Sequence, residues 1–134
     1  FVSKRDVLGQ ILWIGLGGFF GAILRFMVSG SVQWIAKGVE MPSGTLLVNL
    51  IGSFVFGFLS VLGERSEFFS VDAKSFIFVG GLGAFTTFST FANDSFSLFQ
   101  DGSNMWGLAN IAVHIVLGLV AIGLGRLLAQ QFVH

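Results

Sequence analysis

The sequence predicts an all-α membrane protein of four transmembrane helices, the third broken near its middle. Three observations carry that expectation. Of 134 residues, 54% are hydrophobic, only 10% are charged, and the mean hydropathy is +0.87. A soluble domain of this size carries about a quarter of its residues as charge, so the surface of this chain has to be lipid. Four charge-free runs follow one another, at residues 7–24, 44–63, 75–93 and 102–125, and each reaches the roughly 18 to 20 residues a helix needs to cross the hydrocarbon. The third run also concentrates poor helix formers where the membrane is deepest: Gly80, Gly81 and Gly83, then Thr86, Thr87, Ser89 and Thr90.

Lys4 and Arg5 stand before the first run, but the run continues past the length of a signal peptide and shows no small-residue cleavage site, which reads as a retained helix. Gly17 and Gly21 form a GxxxG on it. Ser53 and Gly57 on the second run and Ala121 and Gly125 on the fourth are further pairs of small residues at the same spacing. Such faces let helices approach closely, either within one subunit or between subunits, and spacing alone does not separate the two. Four helices enclose a solvated path poorly by themselves, so an oligomer is expected. Arg25 closes the charge-free part of the first helix; it reads as a snorkelling anchor or as a cation in a water-filled mouth.

A joint of Lys37, Gly38, Glu40, Pro42 and Ser43 leads to the second run, where Asn49 sits in LLVNLIG. Its amide donates hydrogen bonds with no proton to lose. It serves an anion path, or it is an interhelical clamp worth about 0.6 to 2 kcal/mol. Glu64, Arg65, Glu67, Asp72 and Lys74 separate the second and third runs, and a turn seeded by Asp101 and Gly102 leads to the fourth. On that last run Asn110 and His114 stand four apart and share a face, with no carboxylate or second histidine near enough in sequence to complete a metal set. They read as a packing pair. The joints leave no room for a soluble domain, so residues 1–134 form a single four-helix membrane unit. The chain has no cysteine, which removes disulfides and thiol chemistry. No nucleophile stands near a base, and an enzyme is not expected.

The stretch GAFTTFSTF, residues 83–91, interleaves Phe85, Phe88 and Phe91 with hydroxyls. Broken backbone at membrane depth survives where it is buried in protein or lines a cavity. Ser and Thr donate hydrogen bonds, and a phenyl rim carries the positive end of the ring quadrupole, so the interleaving suits an uncharged anion path. It equally suits a packed phenylalanine stripe whose hydroxyls bond back to carbonyls. On a regular helix neighbouring rings three apart share a face, while Phe85 and Phe91 diverge by roughly 120°.

GTLLVNLIGSFVFG and GGLGAFTTFSTF, together with GFFGAILR on the first helix, resemble the Fluc (CrcB) family of fluoride channels over essentially the whole chain. The resemblance implies a passive, fluoride-selective channel that exports cytoplasmic fluoride and confers fluoride resistance. It further implies an antiparallel, dual-topology dimer in the inner (plasma) membrane, with two pores and a structural sodium ion at its centre. Carried over by motif, the pore residues fall on Asn49, Phe88 and Phe91, the hydroxyl track on Ser89 and Thr90, and the vestibule arginine on Arg25. The sodium-coordinating carbonyls fall on Gly83 and Thr86, and Phe85 is outside the set. Ala84 stands where the family usually has a second glycine, and Asp94 where a glutamate is common. The expected partners are fluoride, lipid and a second copy in the opposite orientation; neither an organic cofactor nor a nucleic acid is expected.

Two rival classes stand against this. A small multidrug-type, proton-coupled exporter needs a titratable carboxylate within a span, and none of the four charge-free runs holds Asp or Glu. A non-conducting structural subunit needs no polar track. Lys4, Arg5, Arg65, Lys74 and Arg126 lie on the side of the termini and the second joint, against Lys37 and Arg25 opposite. That bias of five to two favours termini in the cytoplasm and leaves a heterodimer with an oppositely charged paralogue as the alternative to a homodimer.

Overall fold

Apolar segments without water around them must satisfy their backbone internally, and in one chain of this length that means helices. The computed structural model describes residues 4–65 and 69–133, apart from the side chains of Lys4, Arg5 and Arg65. Its elements are α1 (Lys4–Ile35), α2 (Ser43–Arg65), α3 (Val71–Lys74), a π-helical segment (Ser75–Leu82), α4 (Gly83–Phe85), α5 (Phe88–Gln100) and α6 (Asn104–Gln130). Among the described residues, four stretches are long and apolar enough to cross a membrane: Asp6–Ile35, Ser43–Glu64, Val71–Gln100 and Asn104–Gln130. The chain is a multi-pass membrane protein. Glu67, one of the residues expected in the second joint, lies outside the described residues.

The helices outrun the charge-free runs, because a charge does not end a helix. α1 continues past Arg25 to Ile35 and stops before Gly38, whose φ of +92° only glycine adopts easily. The third span runs on through Asp94 to Gln100. This corrects the argument against a proton-coupled exporter, since a carboxylate does lie within a span. It is not isolated there, because Thr45 Oγ1 donates to Asp94 Oδ2 at 2.7 Å. Ser70 caps α3 by accepting from Ala73 N–H at 3.2 Å, and Gly102, at φ +79°, turns the chain from α5 into α6.

Close backbone approach holds the bundle together. A Cβ at Gly17 would overlap the carbonyl oxygen of Phe76, and one at Gly21 would overlap that of Gly81, so α1 lies directly against the π-helical segment. On the other side α2 and α6 mesh in the same way, Gly57 under the Ile122 carbonyl and Gly125 under that of Phe54. The GxxxG and the other glycines of the small-residue pairs are therefore occupied within the subunit. Among the described residues, buried apolar side chains are few: Val48, Val61, Phe85 and Ala129. Leu12, Phe19, Met27 and Leu119 face outward, as expected where lipid is the solvent.

The third span is broken at Thr86 and Thr87, with backbone angles of φ −81°, ψ 157° and φ −150°, ψ 111°. Gly52 of α2 receives the break: a Cβ there would overlap the Thr86 methyl and meet the Phe85 ring at 3.3 Å.

Candidate functional site: the break and its groove

A helix interrupted in a membrane strands donors on one side and carbonyls on the other, and each needs a new partner. Asn49, one turn before Gly52 on α2, supplies two. Its Nδ2 donates to the Thr87 carbonyl at 3.1 Å and its Oδ1 accepts from Thr87 N–H at 2.8 Å. Thr87 supplies another as the N-cap of α5, where its Oγ1 accepts from Thr90 N–H at 3.2 Å. In a continuous helix Thr87 N–H would have gone to the Gly83 carbonyl and Thr90 N–H to that of Thr86. The side chains of Asn49 and Thr87 thus release the same two carbonyls that the resemblance marks for a cation.

Beside the break lies an open groove of about 470 Å³ whose lining includes Asn49, Gly83, Thr86, Thr87, Phe88, Phe91 and His114. Among the described residues no Lys, Arg, Asp or Glu lines it. Phe88 and Phe91 pack with ring centroids 5.4 Å apart at 60°, and Phe88 is 78% exposed in the single chain. Phe85 is only 9% exposed, on the other side of the break. The regular-helix spacing applies from Phe88 onward but not across Thr86 and Thr87, where the extended backbone resets the direction of the rings.

The remaining expected positions are less uniform. Ser89 and Thr90 are exposed and do not line the groove, but they join Thr87, whose Oγ1 lies 3.4 Å from Ser89 Oγ and donates to Thr90 Oγ1 at 2.9 Å. Arg25 stands apart from the groove on α1, partly exposed. His114 and Asn110 share a face as expected, and the His114 Nδ1 lies 2.9 Å from the Asn110 carbonyl. Phe91 stacks on the histidine with centroids 4.5 Å apart. Below it, Asn110 Nδ2 donates to Ser95 Oγ at 2.9 Å, and Ser95 Oγ–H donates to the Phe91 carbonyl at 2.8 Å.

Three contacts escaped the sequence reading: the Thr87 cap, the Thr45–Asp94 bond and the Asn110–Ser95 bond. Thr87 had a visible signal, a threonine three residues before Thr90 at the edge of a glycine cluster, the spacing of an N-cap and its N3 position. The Thr45–Asp94 bond joins residues 49 apart and had none. The same holds for Ser95 and Asn110, 15 apart on two helices.

Comparison with known proteins shows the family of the chain. Residues 12–126 match the family model described as CrcB-like protein, Camphor Resistance (CrcB). A curated relative in Methanosarcina acetivorans, named fluoride-specific ion channel FluC 1, is 42% identical over 89% of this chain and 89% of its own length. Proteins named fluoride-specific ion channel FluC in Methanococcus maripaludis and Salinibacter ruber are 44% and 43% identical, covering 92% and 87% of this chain and 98% and 86% of their own lengths. A family match across most of the length, with relatives of this identity, leaves one conclusion: the chain belongs to the CrcB family.

Proposed function

We propose that this chain is a passive, fluoride-selective ion channel of the inner (plasma) membrane, through which cytoplasmic fluoride leaves down its electrochemical gradient, and that it is not an enzyme. The observation that carries the reading is the uncharged groove beside the break, in which an amide, a buried hydroxyl and two phenylalanine rings converge. It is supported by the names of the curated relatives. A small anion leaving water needs donors that hold it without trapping it, and ring edges and neutral N–H and O–H groups meet that need where a fixed cation would bind too tightly.

In this reading Asn49, Phe88 and Phe91 form the pore wall. Phe88 offers its rim to the anion and Phe91 receives it, while Ser89 and Thr90 pass it along beside the rings. Arg25 draws anions toward the vestibule by its field. Asn49 has one amide hydrogen beyond the bond to Thr87, so it holds the break and offers a donor at once.

The groove is open in one chain, and Phe88 is bare. A second copy inserted in the opposite orientation closes it and gives two pores per homodimer. The carbonyls of Gly83 and Thr86, freed of their helical donors, fit a small cation. They would hold a structural sodium ion, which supplies the positive charge that ties two broken helices together at the subunit boundary.

Purified protein in fluoride-loaded liposomes is expected to release fluoride when valinomycin and potassium balance the charge, with no proton gradient. Release that needs a proton gradient would restore the exporter; no release from well-assembled protein would leave a structural subunit. Labelling single-cysteine variants at either end from outside tests the arrangement. Labelling of both ends is expected, and wholly one-sided labelling would point instead to a heterodimer.

A further inference from the structure

Asn110 and His114 share a face of α6, and both converge on Phe91. The carbonyl of Phe91 accepts from Ser95 Oγ–H at 2.8 Å, and Ser95 Oγ in turn accepts from Asn110 Nδ2 at 2.9 Å. Its ring lies against the His114 imidazole, with centroids 4.5 Å apart and planes inclined by 38°. His114 is itself tied to Asn110, whose main-chain carbonyl lies 2.9 Å from Nδ1. One residue, 0% exposed, therefore fixes both the backbone and the ring of Phe91 from α6. Phe88 has no such fixture: it is 78% exposed, and among the described residues its ring meets only that of Phe91.

The chemistry of the imidazole argues against a ligand. A carbonyl can only accept, so the Nδ1 proton goes to Asn110 and Nε2 keeps a lone pair. The neutral ring has no donor left for an anion. Nε2 and Asn110 Oδ1 are both buried, with no hydrogen-bond partner among the described residues. Two apolar residues would fill the same space without stranding either acceptor, so packing alone does not account for the pair. What His114 gives the groove, which it lines together with Phe91, is a surface.

We propose that His114 and Asn110 are positioning residues for the anion path: the imidazole covers one face of Phe91, and the bonds through Asn110 keep the edge of that ring turned into the groove. A phenyl ring is negative over its faces and positive around its rim. A ring free to tip would show a passing anion both signs. Held from α6 with one face covered, Phe91 meets the anion edge-on, and the bare Phe88 ring owes its orientation to Phe91.

The inference rests on the proposed anion channel, and two readouts keep their failures apart. A single 4-fluorophenylalanine is placed at position 91, or at position 85 across the break as a control, and its fluorine resonance is recorded with no flux involved. In His114→Ala the line from position 91 should broaden or split while that from position 85 keeps its shape. His114→Phe, which puts a plane back over the ring, should restore the single line. Fluoride flux from unlabelled protein should fall about fivefold in His114→Ala and stay within about twofold of the unsubstituted protein in His114→Phe. An unchanged line at position 91, equal changes at both positions, or full flux in His114→Ala overturns the proposal. Ser95→Ala cuts the other tie without touching the imidazole, so the test survives even where His114→Ala does not assemble: a broadened line at position 91 is expected, and an unchanged one overturns the part given to Asn110. No flux from the unsubstituted protein overturns the channel, and the fluorine line then shows separately whether the ring is held.

Discussion

Phe85 and Phe88 are three residues apart in sequence and on opposite sides of one break, and they end in different media. Phe85 is 9% exposed and rests on Gly52; Phe88 is 78% exposed and overhangs the groove with Phe91. The same contrast divides the whole third span. The half before the break is glycine-rich and lies backbone to backbone on α1. The half after it is held by side chains instead: Asn49 and Thr45 from α2, and Asn110 from α6. Backbone packing makes a rigid post, while side-chain hydrogen bonds hold a surface in place and leave it bare. The first half is built to be buried and the second to be used.

The harshest way to break that contrast is to attack the post. In Gly21→Val the added Cβ would overlap the Gly81 carbonyl, and no rotamer relieves a clash with backbone. The expected outcome is loss of monodisperse protein on size exclusion. Well-assembled Gly21→Val protein would show that the α1 contact is not what supports the third span.

Asn49→Asp is next, with flux expected to fall by about tenfold or more while the protein still assembles. The carboxylate keeps the acceptor for Thr87 N–H, but it loses the donor to the Thr87 carbonyl and adds a charge that repels the anion. Normal flux in a folded variant would leave Asn49 as a clamp alone.

The rings sharpen the comparison directly. Phe88→Ile and Phe91→Ile should each cut flux steeply, because an aliphatic group of similar bulk has no positive rim. Phe85→Leu should instead lower thermal stability by about 1 kcal/mol and spare flux. Equal tolerance at all three positions, read as flux per amount of assembled protein, would mean that the rings are packing and the anion travels elsewhere. Smallest of all, Ser89→Ala and Thr90→Val should reduce flux by a few fold at most, since each hydroxyl also has Thr87 as a neighbour. A complete block by either would make the hydroxyls the main barrier.

How much of this was legible beforehand follows physical lines. The break could be read because glycine and β-branched residues depress helix stability locally, and Gly80 to Thr90 gather them. Asn49 could be read only as an alternative between clamp and donor, and the geometry gives it both a clamp and a spare hydrogen. The extent of the third span is not legible from charge, because Asp94 lies inside it and is accommodated by a hydroxyl from another helix. Contacts of that kind leave no trace in local sequence. The π-helical turn left none either, since its composition is that of any apolar span.

That turn has a consequence for how such a chain can vary over time. From Ser75 to Leu82 the helix is wound wide, and Gly83 N–H bonds back five residues to the Phe78 carbonyl. A wide turn differs from an ordinary one by about one residue. Deleting a single residue there would let the helix tighten into ordinary turns and leave the direction of Phe88 and Phe91 nearly unchanged, whereas a residue lost from the regular helix Phe88–Gln100 would swing everything beyond it by about 100°. Among descendants of this chain, then, the number of residues between Lys74 and Gly83 should vary by one more freely than the number between Phe88 and Gln100.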